Sequence, residues 1–377
     1  MAPDPVTPGG LEGVVAATTR LSHVDGEAGE LLIAGFPVGE LAANATFEET
    51  TWLLWHGDLP SPSKFDAFRA ELAAHRDLPS ATLAILRECA RARVDAMDAL
   101  RIAMGTVSLT SSEPTAMVAI APTIVASFAR LVDDNEPIAP RADLGHAANY
   151  LYMLDGVEPD AERVRGLETY LNTVVDHGLN ASTFTCRVIT STGSDLVSAV
   201  VGAIGALKGP LHGGAPGPAL ETVFEIGTAV RAEEVLRRKI ESGERLMGFG
   251  HRVYKVRDPR ADVLAAAAER LFTRGGDMRL YTLARAVERT ALRLLEEYKP
   301  GRRLQTNVEF YTALLLHGLG LDVPLFTPTF AISRVSGWIA HAIEQRAANR
   351  LIRPASDYVG PRGRRWRDRG TVLEHVG

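Results

Sequence analysis

The sequence predicts a mainly α-helical protein in which many helices pack in layers. Three observations carry this. Apolar residues recur at three- and four-residue steps over most of the chain, and the joins between those stretches are charged or punctuated by glycine and proline. Only one short region near the start alternates as strands do. With 377 residues, 46% hydrophobic and 23% charged, the chain can bury a large core as two domains or one.

Residues 1–10, rich in proline and glycine, read as a floppy lead-in lacking the basic and apolar regions of a signal peptide. Between Val14 and Leu41 short apolar runs alternate with glycine, which predicts a small β-hairpin. Helical periodicity takes over at Thr46, which with Glu49 makes a capping box before Trp52, Leu53 and Trp55; Pro60 and Pro62 end that segment. Leu83, Leu86, Ala90, Val94, Met97, Leu100 and Met104 form one buried stripe of an amphipathic helix. The apolar run from Ala116 to Ala129 contains Pro122. It reads as a buried, kinked helix too short to span a bilayer. Further helices are predicted around 144–154, over 162–177 with Gly178 as the C-terminal stop, and from a cap at Asp195 to Lys208. Others cover 221–241, 261–272, 281–298 and 333–349. The tail from Pro361 to Arg369 is strongly basic and reads as a solvated arm wrapping a partner subunit, with an added phosphate or nucleic-acid contact as the alternative.

The formal net charge of -5 gives no overall pull towards nucleic acid. Cys89 and Cys186 are too few for a disulfide framework and sit in apolar helical contexts, so packed thiols in a reducing cytoplasm are expected. Gly248-Phe-Gly250 fails as a dinucleotide fingerprint because Val253 occupies the third glycine position. Lys208 lacks the spacing of a phosphate-binding loop. Neither HExxH nor G-x-S-x-G occurs, and the turn histidines have no local ligand partner, so no metal is expected.

The chemistry concentrates in four blocks. In Gly209-Pro-Leu-His212-Gly-Gly-Ala-Pro216 a helix delivers a histidine to a turn whose Gly213 and Gly214 leave backbone N–H groups open to a ligand. Its plain reading is a surface turn with an incidental histidine. Arg245-Leu-Met-Gly-Phe-Gly-His251-Arg-Val-Tyr-Lys255-Val-Arg257-Asp-Pro-Arg260 repeats the device with cations at short intervals. Gln305-Thr-Asn307-Val-Glu309-Phe-Tyr311 and Phe330-Ala-Ile-Ser-Arg334 complete the set. In this order and from about Gly10 to Gly360, these motifs closely resemble the citrate synthase family. The nearest likeness is its short bacterial form, in the branch with glutamate where most members carry the catalytic aspartate.

That resemblance implies a two-domain multi-helical fold. A large domain would comprise residues 11–212 and 322–377, and a smaller one, residues 213–321, would close over it. It implies a homodimeric, cytoplasmic acyltransferase that condenses acetyl-CoA with oxaloacetate and water to citrate at the entry to the tricarboxylic acid cycle. The thioester is a co-substrate, no cofactor is permanently bound, and neither nucleic acid nor membrane is a partner. Alternatives are 2-methylcitrate synthase, which uses propionyl-CoA, and a citryl-CoA lyase or hydrolase.

The resemblance also distributes roles. Glu309 would be the base at the acetyl methyl group, His212 the donor at the thioester oxygen and His251 the group polarising the keto carbonyl. A helix N-terminus near His212 is expected to keep it neutral. Arg260, Arg334 and Arg353, the last reaching the other subunit's site, would clamp two carboxylates with His177 beside them. Read alone, His177 merely complements a helix dipole, whereas Arg334 in a helix's first turn opposes one and calls for an anion. Lys255, Arg257, Lys299, Arg302 and Arg303 are candidates for the coenzyme A phosphates. Their plain reading is solvated charge. Ala34 stands where the family usually has an arginine.

Overall fold

Helices make up 63% of the computed structural model and strands 3%, the class that the periodicity requires. The structure describes residues 10–364, save 12, 110–112, 214–215, 252 and 276. Gly214 and the basic tail beyond Arg364 therefore lie outside the described residues.

The expected hairpin, β1 (Ser22–Asp25) against β2 (Glu30–Ile33), gains a two-residue third strand, β3 (Phe36–Pro37). The two-residue turn between β2 and β3 needs two left-handed residues. Gly35 adopts φ 88° at no steric cost, and Ala34 adopts φ 46° at about 1–2 kcal/mol.

Helix α1 (Val38–Asn44) precedes α2 (Phe47–His56), whose Thr46/Glu49 capping box is present as the sequence requires. Left-handed Gly57 stops α2 before the prolines are reached. Pro62 instead opens α3 (Pro62–Ala74), at the first turn, where its missing N–H is harmless. The single amphipathic helix expected from Leu83 to Met104 is two, α4 (Ser80–Arg91) and α5 (Ala96–Met104). Arg93 takes φ 53°, and the Asp95 side chain caps the new start by accepting from the Met97 N–H. The apolar stripe stays in phase across that break.

Helix α6 (Pro114–Val132) has 19 residues and runs on through Pro122. It is longer than the apolar run indicated, so it has the length and composition to cross a membrane, against the expectation that it is too short. Most of it is buried among other helices, which take up its apolar surface. After α7 (His146–Asp155) comes α8 (Ala161–Val174), which ends three residues before His177. His177 therefore does not sit in a helix's last turn, and the dipole reading of it falls. Asn180 caps α9 (Ala181–Ser191) and Asp195 caps α10 (Leu196–Leu207). The helix expected over 221–241 divides at left-handed Gly227 into α11 (Pro216–Ile226) and α12 (Ala232–Glu241). Helices α13 (Pro259–Gly275), α14 (Arg279–Tyr298), α15 (Val308–Gly318) and α16 (Phe326–Ala347) complete the order.

Buried apolar side chains form one continuous cluster, and α16 runs through it against α2, α6, α8, α9 and α10. Because α16 starts at Phe326, Arg334 lies in its third turn, not its first, and opposes no helix dipole. The reason for a buried cation there has to come from its neighbours.

Candidate active site

The loop carrying His251 is fastened to the loop that leads into Glu309. Gly248 and Gly250 take φ of 89° and 81°, letting Phe249 form an antiparallel bridge with Thr306. Gly250 N–H donates to the Gln305 carbonyl (2.7 Å) and Asn307 N–H to the Gly248 carbonyl (3.0 Å). The Asn307 side chain works in both directions. Its Nδ2 donates to the Gly250 carbonyl at 2.8 Å, and its Oδ1 caps α15 by accepting from Glu309 N–H at 3.0 Å.

Nδ1 of His251 accepts from the peptide N–H groups of Val253 and Tyr254, both at 3.0 Å. A neutral ring accepting there carries its proton on Nε2. An Arg260 terminal nitrogen stands 3.5 Å from that Nε2. Asp258 holds Arg260 through Nε (3.0 Å) and a terminal nitrogen (2.8 Å) while also accepting from the Val308 N–H at 3.2 Å. One buried carboxylate thus sets both the cation and the start of α15. His177 joins through the Tyr254 hydroxyl, 3.1 Å from its Nε2, with the His177 and His251 rings edge to face at 5.7 Å.

His212 approaches from a different direction. Its turn closes by His212 N–H on the Gly209 carbonyl, and a β-carbon on Gly213 would stand 2.5 Å from the Leu207 carbonyl oxygen, so only glycine fits. Nε2 of His212 lies 2.8 Å from Ser182 Oγ and accepts from the Ser182 peptide N–H at 3.4 Å. Since a peptide hydrogen points at Nε2, the ring proton resides on Nδ1. Ser182 Oγ also accepts from Trp338 Nε1 (3.2 Å) and lies 2.8 Å from Asn180 Oδ1. The helix N-terminus beside His212 is that of α9. Burial, followed by the charge of Arg334, pushes the His212 pKa down to about 4. Burial and then Arg260 do the same for His251, also to about 4. Both rings are neutral at pH 7.

Glu309 is partly buried in the second position of α15. Burial outweighs the attraction of Arg260 and Arg334 and raises its pKa to about 7, with Asp258 adding repulsion. A carboxyl near 7 is poised to take up a proton at neutral pH. Arg334 is buried, its Nε donating to the Val174 carbonyl at 2.8 Å and its guanidinium 4.7 Å from the Phe330 ring centroid. Desolvation lowers its pKa to about 10, and it acts electrostatically on both His212 and Glu309.

His177, His251, Arg260 and Glu309 are thus tied into one cluster, with Arg334 coupling His212 to it. Arg353 lies exposed on the irregular stretch after α16. Among the phosphate candidates, Arg257 is committed to the interior, bound to Asp262 (2.5 Å) and to buried Glu288 (2.6 Å). Lys255, Arg302 and Arg303 are exposed and Lys299 is half-buried. Lys255 donates its N–H to the Gly26 carbonyl in the β1–β2 turn, and Arg303 lies 3.6 Å from Glu27 of the same turn. Sequence reasoning gave no role to Ser182, Tyr254, Asp258 or Trp338. Asp258 alone carried a local signal, an aspartate before a proline that opens a helix.

The family described as citrate synthase, C-terminal domain, matches residues 10–355. A citrate synthase of Haloferax volcanii is 41% identical, the alignment covering 93% of this chain and 95% of that one. A 2-methylcitrate synthase of Mycobacterium tuberculosis is 38% identical, with 93% and 90% covered. Among solved structures, citrate synthase of Thermoplasma acidophilum in ternary complex with carboxymethyl coenzyme A and oxaloacetate has a TM-score of 0.87 at 29% identity, covering 95% of this chain and 97% of that one. Match length, identity and fold agree, and the chain belongs to the citrate synthase family of acyltransferases.

Proposed function

We propose that the protein condenses acetyl-CoA with oxaloacetate and water to give citrate and free coenzyme A. The observation that carries this reading is the Arg260 guanidinium standing 3.5 Å from His251 Nε2, beside a carboxyl whose pKa is about 7. Glu309 takes a proton from the acetyl methyl group as His212 Nδ1–H donates to the thioester oxygen, where negative charge develops. The new carbon nucleophile attacks the keto carbon of oxaloacetate. His251 Nε2–H stabilises the resulting alkoxide oxygen, and Arg260, Arg334 and His177 hold the carboxylates. Water then attacks the citryl thioester carbonyl and coenzyme A leaves as the thiol.

Glutamate reaches about one methylene further than aspartate, and a misplacement of about 1 Å can cost on the order of 100-fold in rate. On this reading the backbone at Asn307 is set back to compensate. Residues 213–321 would close over the remainder once both substrates are bound. Arg353 lies exposed and makes no hydrogen bond or ion pair with described residues, which suits donation of the partner subunit's Arg353 to this site in a homodimer. Lys255 and Arg303, at the β1–β2 turn, together with Lys299 and Arg302, would meet the coenzyme A phosphates. Two buried, unpaired cysteines suit the cytoplasm.

The Mycobacterium tuberculosis relative supports propionyl-CoA as a second acyl donor. One methylene is worth about 1–3 kcal/mol in an apolar pocket, so both thioesters are expected to turn over. The test is thiol release with acetyl-CoA or propionyl-CoA, with and without oxaloacetate. Release that requires oxaloacetate, and is lost in Glu309→Ala, supports condensation. Release without it indicates a thioesterase, and cleavage of citryl-CoA without condensation indicates a lyase or hydrolase.

A further inference from the structure

We propose that Asp176, held by His341 and Arg187, is a positioning residue that fixes Arg334 and His177 for the keto acid. This rests on the reading of those two residues as its binding groups. Asp176 is wholly buried, and its Oδ2 takes the Ser22 hydroxyl at 2.5 Å while Oδ1 faces His341 Nε2 at 3.1 Å. Arg187 Nε donates to His341 Nδ1 at 2.9 Å, so the proton of that ring lies on Nε2, pointing at Asp176. The other two Arg187 nitrogens bind Gln345 Oε1 at 3.1 Å and the Glu344 carboxylate. The Glu344 and Arg187 charges offset each other, the imidazole bridges Arg187 to Asp176, and Asp176 is left with a negative charge of its own.

That charge and Arg334 act on each other electrostatically. Burial disfavours the ionised carboxyl, yet His341, Arg334 and Ser22 together keep it below the ordinary aspartate range. Among the described residues the two terminal nitrogens of Arg334 make no hydrogen bond, since the Nε–H alone is spent on Val174. A buried counter-charge acting on a guanidinium whose terminal donors are left over favours holding it for an incoming anion. The same carboxylate pins His177, the next residue. The Ser22 hydroxyl that donates to Asp176 accepts from the Gly178 N–H at 2.8 Å, so the backbone is gripped on both sides of the histidine.

The test measures oxaloacetate binding by calorimetry, and the KM of acetyl-CoA, on the full chain. Asp176→Asn keeps the shape and removes the charge. Its oxaloacetate affinity is expected to fall at least about tenfold. The KM for acetyl-CoA stays within about twofold, because the acyl-CoA contacts are elsewhere. Should that variant not fold, His341→Ala and His341→Gln decide. A glutamine can donate to Asp176 and accept from Arg187 as the imidazole does, so it should bind oxaloacetate nearly as wild type while the alanine variant weakens several-fold. Unchanged oxaloacetate affinity in Asp176→Asn or His341→Ala, or equal losses for both substrates, overturns the inference. Wild-type protein that binds no oxaloacetate overturns the functional reading instead.

Discussion

A β-carbon on Gly337 would stand 2.2 Å from the carbonyl oxygen of Val175. The backbone of α16 thus lies directly on the stretch linking α8 to His177. From that contact Arg334 reaches back to the Val174 carbonyl and His341 reaches forward to Asp176. Gly337→Ala should force the two segments apart, costing more than about 2 kcal/mol and weakening oxaloacetate binding. Thermal melting and calorimetry check both. Gly39→Ala is the control. A β-carbon there meets only Val263 Cγ2, at an ordinary 3.5 Å, and that variant should melt no lower than wild type.

Ser182→Ala removes the hydroxyl 2.8 Å from His212 Nε2 and leaves the Trp338 indole N–H without its acceptor. The ring should lose orientation while the keto-acid groups stay put. The expected result is a fall in kcat of about 10- to 100-fold with the oxaloacetate KM nearly unchanged. A matching rise in that KM would place His212 with the keto acid instead.

The pH dependence should follow Glu309. A base with a pKa of about 7 makes kcat/KM rise with pH through about 7, with no histidine limb near 6.5, because both rings titrate near 4. The stability signs are opposite. Glu309 is raised above its ordinary 4.5, so the folded state binds the extra proton, and its contribution falls as pH climbs from about 4.5 to 7. His212 and His251 are depressed, so the unfolded state binds the extra protons, and their contribution is lost as pH falls from 6.5 towards 4. Glu309→Gln should therefore melt higher than wild type at pH 8, by the equivalent of about 1–3 kcal/mol, while losing condensation. Rate profiles from pH 5 to 9 and melting at pH 8 check the two halves.

Which parts of this were legible beforehand follows from how local each signal is. The histidine turns could be read because glycine, histidine and cation fall within a few residues of one another. The capping box at Thr46 and the cap at Asp195 are local in the same way. The division of α4 from α5 was hidden because the apolar stripe stays in phase across it, leaving only a capping aspartate to betray the turn. Ser182, Asp176 and His341 were illegible because their partners lie 30 or more residues away. For Arg257, nothing nearby in sequence shows that Glu288, on another helix, already holds it.

Arg257 gives a discriminating prediction at the proposed coenzyme A rim. Lys255→Ala and Arg303→Ala should raise the KM for acetyl-CoA several-fold, more at low salt than at high, and leave stability within about 0.5 kcal/mol. Arg257→Ala should instead lower the melting temperature, because it strips an ion-pair partner from the buried carboxylate of Glu288. Kinetics at two ionic strengths and a melting curve for each variant separate the groups.

The proton transfer assigned to Glu309 can be watched without any product forming. Acetyl-CoA is incubated with the protein in D2O beside malate, which resembles oxaloacetate but has no ketone to attack, and the methyl signal is followed by proton NMR. Wild-type protein should exchange the methyl hydrogens and Glu309→Gln should not. Exchange continuing undiminished in Glu309→Gln would contradict the assignment of the base.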